Sequence, residues 1–297
     1  MPQVETYFPE TLDEVAALLL AADGRPHPRV RGATLCAQTE DGGGSASILV
    51  DLARVPEMNR LEYDERNGLV VGTAVLATEP LGFPPVQDAY AILADGLGAV
   101  VPEDARPDVT LGELLDEWPP AANLLVPLIC LGASVAIFGP HGWSEMTVEA
   151  LCAKRRGTAL HHGEFLVGVR LPAPFPRSGG AYLRSASAGT DGGAAGVGAF
   201  LLMEDDRVTC CGARVTVWDA TAAPQRALEA ERFLRGKRLG DAETASAGEL
   251  VPVSGGPPPR RSGCAAVRRD GLAALAGQVI RLAFGRAQDA PGQGGRG

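Results

Sequence analysis

Residues 110–123 read TLGELLDEWPPAAN. The segment has the length and framework of a loop that cradles a phosphate. Glycine lets backbone N–H groups come within hydrogen-bonding distance of an anion, and a threonine hydroxyl adds a further polar group. Yet three of its fourteen residues, Glu113, Asp116 and Glu117, are carboxylates. A carboxylate ~5 Å from a phosphate charge costs about 3 kcal/mol at an effective dielectric of 20. Two such contacts weaken binding by a few powers of ten, at ~1.4 kcal/mol per tenfold.

Other candidates for chemistry are weaker. The GxG at 196–198 lies inside a strand pattern, with no third glycine and no helix after it, and reads as strand packing, not a dinucleotide fingerprint. Gly42–Gly44 lacks the lysine of a P-loop and reads as a turn. The six cysteines (36, 130, 152, 210, 211, 264) include no CxxC, so buried, reduced thiols are expected, with neither iron–sulfur cluster nor zinc on this chain. His161 and His162 adjoin in a turn pattern and read as solvated, not metal-binding. No serine or cysteine sits in a nucleophile elbow and no carboxylate pair stands out as an acid/base couple. No catalytic residue and no metal site is therefore assigned.

The elements around these residues define an α+β chain of two parts. At 297 residues and a formal charge of −9, with only short basic clusters, the chain can bury sizeable cores and is a poor partner for nucleic acid. The opening residues show no signal-peptide pattern and no apolar run approaches the ~20 residues of a membrane span, so a soluble cytoplasmic protein is expected. Thr11 and Glu14 form a capping box ahead of a helix whose Leu12, Val15, Leu18 and Leu19 share a face. A short strand PRVRGA, a polar stretch AQTEDGGGSAS and a strand ILVDL follow. Residues 60–73 read as a hairpin, 85–99 as helix, 124–139 as helix running into strand, and 165–172 as strand. The Pro/Gly-rich 173–180 marks a domain boundary. Beyond it come antiparallel strands, a helix over 224–236, a loop and a final helix over about 264–286. The expected domains are 1–172, divided near 59/60 into two α/β subdomains, and 177–287, followed by a disordered tail at 288–297.

Five segments in order, between residues 31 and 239, carry a resemblance over most of the chain. RGATL (31–35) is followed at the expected distance by ILVDLARVPEMNRL; TLGELLDEWPPAAN matches a second loop without a gap; HGEFLVGVRLP (162–172), AYLRSASAGTDGGAAGVGAFL and ATAAPQRALEAERFLRGKRL complete the set. Together they resemble the FAD-binding medium subunit of the molybdenum hydroxylases, the xanthine dehydrogenase and aerobic carbon monoxide dehydrogenase family. That resemblance implies partners: a large molybdopterin subunit and a small subunit with two [2Fe–2S] clusters. It also implies an FAD that takes electrons from the clusters to an acceptor and is held by two peptide loops through backbone N–H groups and small hydroxyls.

Carried over residue by residue, the resemblance places FAD against Arg29, Val30, Arg31, Gly32, Ala33, Thr34, Leu35 and Cys36, and against Val109, Thr110, Gly112 and Asn123. Phe165, Leu166 and Arg184 fall near the isoalloxazine or its edge, and Asp191 matches a family acid. The pattern also departs from the family's. Ala33 and Glu113 stand at family glycines, Leu35 at an acid or serine, Leu114 at an asparagine, and Asn123 at an aspartate that would hydrogen-bond FAD. Ser187 and Ala188 replace paired arginines. The apolar framework, including Leu111, Leu125, Leu128, Ile129, Val135 and Ile137, is intact. Two readings follow: an FAD-dependent electron-transfer subunit, or a flavin-free structural subunit of the same kind of complex with no cofactor on this chain.

Overall fold

The protein was analysed as a computed structural model that describes residues 4–21, 29–31, 34–38, 47–100, 109–116, 122–154, 160–185, 195–219, 222–252 and 263–290. The turn expected at Gly42–Gly44, residues 186–194, the loop at 253–262 and residues 291–297 of the expected tail lie outside the described residues, whereas 288 and 289, expected in that disordered tail, belong to the final helix. The described chain forms two compact units.

The chain starts with β1 (Val4–Tyr7), which the sequence pattern did not reveal, and α1 (Leu12–Ala21). Thr11 caps α1 by accepting the Glu14 N–H at 3.3 Å. The Glu14 carboxylate turns back to the N–H of Glu10, one residue before the cap, at 2.8 Å. The first bond satisfies a donor that the first helical turn leaves open, and the second ties the residue before the cap to that turn. Then come β2 (Arg29–Arg31), β3 (Thr34–Gln38) and β4 (Ser47–Asp51), giving the order β1-β4-β3-β2 with β1 parallel to β4 and the other pairs antiparallel. Residues 34–38, read from sequence as the end of a loop running into a polar stretch, are a full strand because they pair on both sides.

The expected hairpin is β5 (Leu61–Asp64) and β6 (Gly68–Gly72). Its turn is set by the Asp64 carboxylate, which accepts the N–H groups of Arg66 and Asn67, and by Gly68 at φ +90°. After α2 (Thr78–Gly82), the helices α3 (Pro84–Ala89) and α4 (Ala91–Val100) stand where one helix was expected. Next are α5 (Leu111–Asp116), α6 (Ala122–Leu131), β7 (Ser134–Gly139), an exposed edge strand β8 (Gly142–Thr147), α7 (Val148–Lys154) and β9 (Phe165–Leu171). A second sheet has the order β5-β6-β9-β7-β8, antiparallel throughout.

Four antiparallel strands follow in sequence order: β10 (Ser178–Arg184), β11 (Ala195–Met203), β12 (Cys210–Asp219) and β13 (Ala222–Arg226). The chain ends in α8 (Leu228–Leu234), α9 (Asp241–Glu249) and α10 (Gly263–Asp289). Residues 224–226, read from sequence as the start of a helix, belong to β13. They pair with β12, and Arg226 is held by the buried Glu231 carboxylate at 2.5 and 3.0 Å. The same carboxylate accepts the Val215 N–H at 3.0 Å, which ties α8 to β12.

Unit one comprises 1–83, 101–121 and 132–173, and unit two 84–100, 122–131 and 174–297. This differs from a single cut near 172, because α4 and α6 pack on the last sheet and join unit two. In that unit one sheet face buries Val197, Ala199, Leu201, Val215 and Val217 with Val279, Ile280 and Ala283 of α10. The other face receives α6. A Cβ at Gly198 would lie 2.8 Å from Val126 Cγ1, so glycine permits that approach, and the GxG serves packing as its setting suggested.

One carboxylate joins three elements of unit two. Asp95 of α4 takes a bidentate pair from Arg286 of α10, at 2.6 and 3.0 Å, and accepts the Tyr182 N–H of β10 at 3.0 Å. Arg286 also donates to the Gly180 carbonyl at 2.7 Å. Removing one partner of such a partly buried pair leaves the others uncompensated. Asp95→Ala is expected to lower stability by about 2–3 kcal/mol, read as a fall in the urea midpoint at unchanged m value. An unchanged midpoint would contradict this role.

Candidate functional site

The second candidate loop is built from β6 and α5. Among the described residues around it, 109–111 run antiparallel to 75–77. Ala77 N–H donates to the Val109 carbonyl at 2.8 Å, Leu111 N–H to the Val75 carbonyl at 2.9 Å, and Leu76 bridges Thr110. Gly112 N–H donates to the Thr73 carbonyl at 2.8 Å and Leu114 N–H to the Thr110 carbonyl at 3.1 Å. The buried Thr110 hydroxyl accepts the Glu113 N–H at 3.3 Å, an ordinary N-cap. The four consecutive backbone donors from 111 to 114 are therefore all engaged by the chain itself.

Thr73 extends this network to β9. Its N–H donates to the Val167 carbonyl at 2.9 Å, and its hydroxyl points at the Leu166 and Val167 carbonyls, 3.2 Å from each. Leu166 and Gly112, both candidate site residues, are thus linked through one buried threonine. Nothing in the sequence marks Thr73 or Val75 for this task, since each is an ordinary residue after a strand.

Leu111, Leu114 and Leu115 are buried, and Glu113 is half-buried on the first turn of α5. Leu114 fills a position where the family resemblance expects an asparagine with its polar amide. The first candidate segment lies in β2 and β3, with α5 packed beside β2, so the structure brings 29–31 and 111–116 together. Gly32 and Ala33 fall outside the described residues, as do the side chains of 29–31 and 34–36. The segment belongs to two paired strands.

Phe165 is a core residue, 1% exposed, its ring 6.1 Å from that of Phe138. Leu166 is half-buried. In unit two Arg184 is exposed, and Asn123 is buried at the start of α6, where its side-chain carbonyl accepts the Tyr182 hydroxyl. Burial pushes the Tyr182 phenol well above its usual range, so the hydroxyl keeps the proton that it donates. Asp191 lies outside the described residues.

Nothing else among the described residues assembles reactive groups. Burial pushes the Cys130 thiol up to about 12 and the Cys210 thiol to about 11, so neither is a nucleophile near neutral pH. Cys152 is also buried, while Cys211 is exposed, a departure from the expectation that all the thiols are buried. His161 and His162 are exposed in a turn closed by Glu164, whose carboxylate accepts the His161 N–H at 2.8 Å. No group of three or more potential metal ligands occurs among the described residues.

Residues 2–174 match the family described as the FAD binding domain in molybdopterin dehydrogenase. The chain belongs to this family. It is 24% identical over 274 residues, 92% of each chain, to the 6-hydroxypseudooxynicotine dehydrogenase complex subunit alpha of Paenarthrobacter nicotinovorans. It is 23% identical over 181 residues, 61% of this chain and 63% of the relative, to the carbon monoxide dehydrogenase medium chain of Hydrogenophaga pseudoflava. A crystal structure of quinoline 2-oxidoreductase from Pseudomonas putida 86 superimposes with a TM-score of 0.76 at 25% identity, covering 97% of this chain and 99% of that one. The mixed α+β fold is thus that of molybdenum hydroxylase medium subunits over nearly the whole chain.

Family membership poses a test of fit for FAD. A pyrophosphate held by backbone needs open donors, and at 111–114 the donors are closed by Val75, Thr73 and Thr110. To bind there the anion would have to displace bonds already made, beside the Glu113 carboxylate. Residues 111–114 of the second loop therefore offer no open amide to the group. The loop's threonine is instead a structural cap. Thr110→Val, which keeps the shape and removes the acceptor, is expected to destabilise the chain by ~1 kcal/mol in urea unfolding, and Thr110→Ser to restore it. A valine variant as stable as the wild type would show that the cap has no such role.

Proposed function

We propose that this chain takes the medium-subunit place in a cytoplasmic molybdenum hydroxylase-type complex, beside a large molybdopterin subunit and a small subunit with two [2Fe–2S] clusters. Support comes from the family match and from relatives that are named as a complex subunit and a medium chain. A stand-alone oxidase is not favoured, because the described residues assemble no substrate acid, base or metal set.

Within that place, the geometry supports the flavin-free structural reading best. The observation that carries it is the closed set of amides at 111–114. Retention of the apolar framework, with Leu111, Leu125, Leu128, Val135 and Ile137 buried, fits a fold kept for assembly. The second reading is the FAD relay, favoured by the family match over residues 2–174. FAD, when bound, would supply single-electron acceptance from the clusters and onward transfer, and the chain would need no acid or base of its own.

Acid-released flavin measured against this chain in the purified native complex separates the two. Iron and molybdenum without FAD, even after incubation with excess FAD, is the expected result. Near-stoichiometric FAD would reinstate the relay, and absence of both metals would remove the chain from such a complex.

A further inference from the structure

The amino-terminal edge of unit one carries an exposed apolar groove. Strand β1 ends the order β1-β4-β3-β2, so one of its edges has no strand neighbour among the described residues. A half-buried strand alternates between faces, yet residues 5–8 are exposed without a break. Two of them are aromatic: Tyr7 is 37% exposed and Phe8 53%. With Pro9, Glu14, Ala17 and Leu18 they line an open groove of about 420 Å³. Edge strands in proteins that stay alone are usually blunted by lysine, proline or a cover. Here proline follows only after the aromatic pair.

Among the described residues, the charge around the groove is mostly negative. Residues 4–21 contain four carboxylates, Glu5, Glu10, Asp13 and Glu14, and no lysine or arginine. Among the described residues a cation, Arg54, packs there, its guanidinium 5.4 Å from the centre of the Phe8 ring and 3.9 Å from the Glu10 carboxylate. Glu5 accepts the Tyr7 hydroxyl at 2.7 Å, which sets that ring at the groove with its carboxylate alongside. An aromatic floor under an acidic rim accepts alkyl side chains that end in positive charge, by burial of the alkyl part and by cation–π and ionic contact at the tip.

We infer that the β1–α1 groove docks an extended, lysine- or arginine-bearing segment of a metal-carrying partner subunit, which adds to the free edge of β1. The inference rests on the proposed place in a molybdenum hydroxylase-type complex. An added strand supplies main-chain hydrogen bonds to the edge of β1 that has no strand neighbour among the described residues, its apolar stems cover Tyr7 and Phe8, and its cations meet the rim. Because the rim is exposed to solvent, the contact weakens with salt.

The test uses the full chain, tagged at its carboxyl end and purified from its own host at low salt, with iron and molybdenum determined per chain. Two variants are compared with the wild type: the triple charge reversal Glu5→Lys, Glu10→Lys, Asp13→Lys, and Phe8→Ser. Each changes only exposed side chains, and circular dichroism and melting establish that the fold is kept; if the triple variant fails to fold, Phe8→Ser decides. At least tenfold less of both metals in the folded variants, and loss of metal from the wild type in 0.5 M salt, is the expected result. Variants that retain wild-type metal content would overturn the groove while leaving the complex intact. A wild type without metals would remove the complex reading and the docking role with it. Loss of a dimer of this chain, with metals retained, would assign the groove to a second copy and overturn the inference.

Discussion

A backbone N–H taken out of water must find an acceptor, and leaving one without costs about 1–3 kcal/mol. At the amino end of α5 the acceptors are the carbonyls of Val75, Thr73 and Thr110 and the hydroxyl of Thr110. The close antiparallel run of 109–111 along 75–77, and the link through Thr73 to β9, follow from these bonds. A loop whose donors are answered in this way is a tertiary clasp. An anion entering it would gain hydrogen bonds only by displacing acceptors already paired, so its net gain is small.

The same rule explains unit two. Asn123, at a position where the family resemblance expects a flavin-bonding aspartate, is buried and is answered by the Tyr182 hydroxyl. Asp95 is answered by Arg286 and the Tyr182 N–H, and Glu231 by Arg226 and the Val215 N–H. In each case a polar group that a ligand would satisfy elsewhere, or that burial would penalise, is satisfied by the chain. A fold of this kind can therefore stand without a bound flavin, because its stability depends on these internal partners and on a buried apolar framework.

Much of this was legible in the residues. The β5–β6 hairpin follows from its turn chemistry, β9 to β12 from alternation, and α10 from its amphipathic period. The acidic character of 110–117 was visible as well. Other features were not. Helix α9 has almost no apolar period, because its small residues meet α10 at close range: a Cβ at Gly248 would lie 2.7 Å from Gly277 N. Strand β13 reads as helix until its pairing with β12 is known, and β1 and β8 lie at sheet edges where alternation fails. Closure of the amides by Thr73 and Val75 is a long-range contact between residues nearly forty apart, and no local pattern records it.

Amide hydrogen exchange at residues 111–114, with and without excess FAD, tests this account most directly. Amides bonded within the fold exchange slowly whether or not a ligand is added. Protection at Leu111, Gly112, Glu113 and Leu114 that is high in the chain alone and unchanged by FAD is the predicted result. Rapid exchange in the chain alone that slows when FAD is added would show an open phosphate loop, and would contradict it.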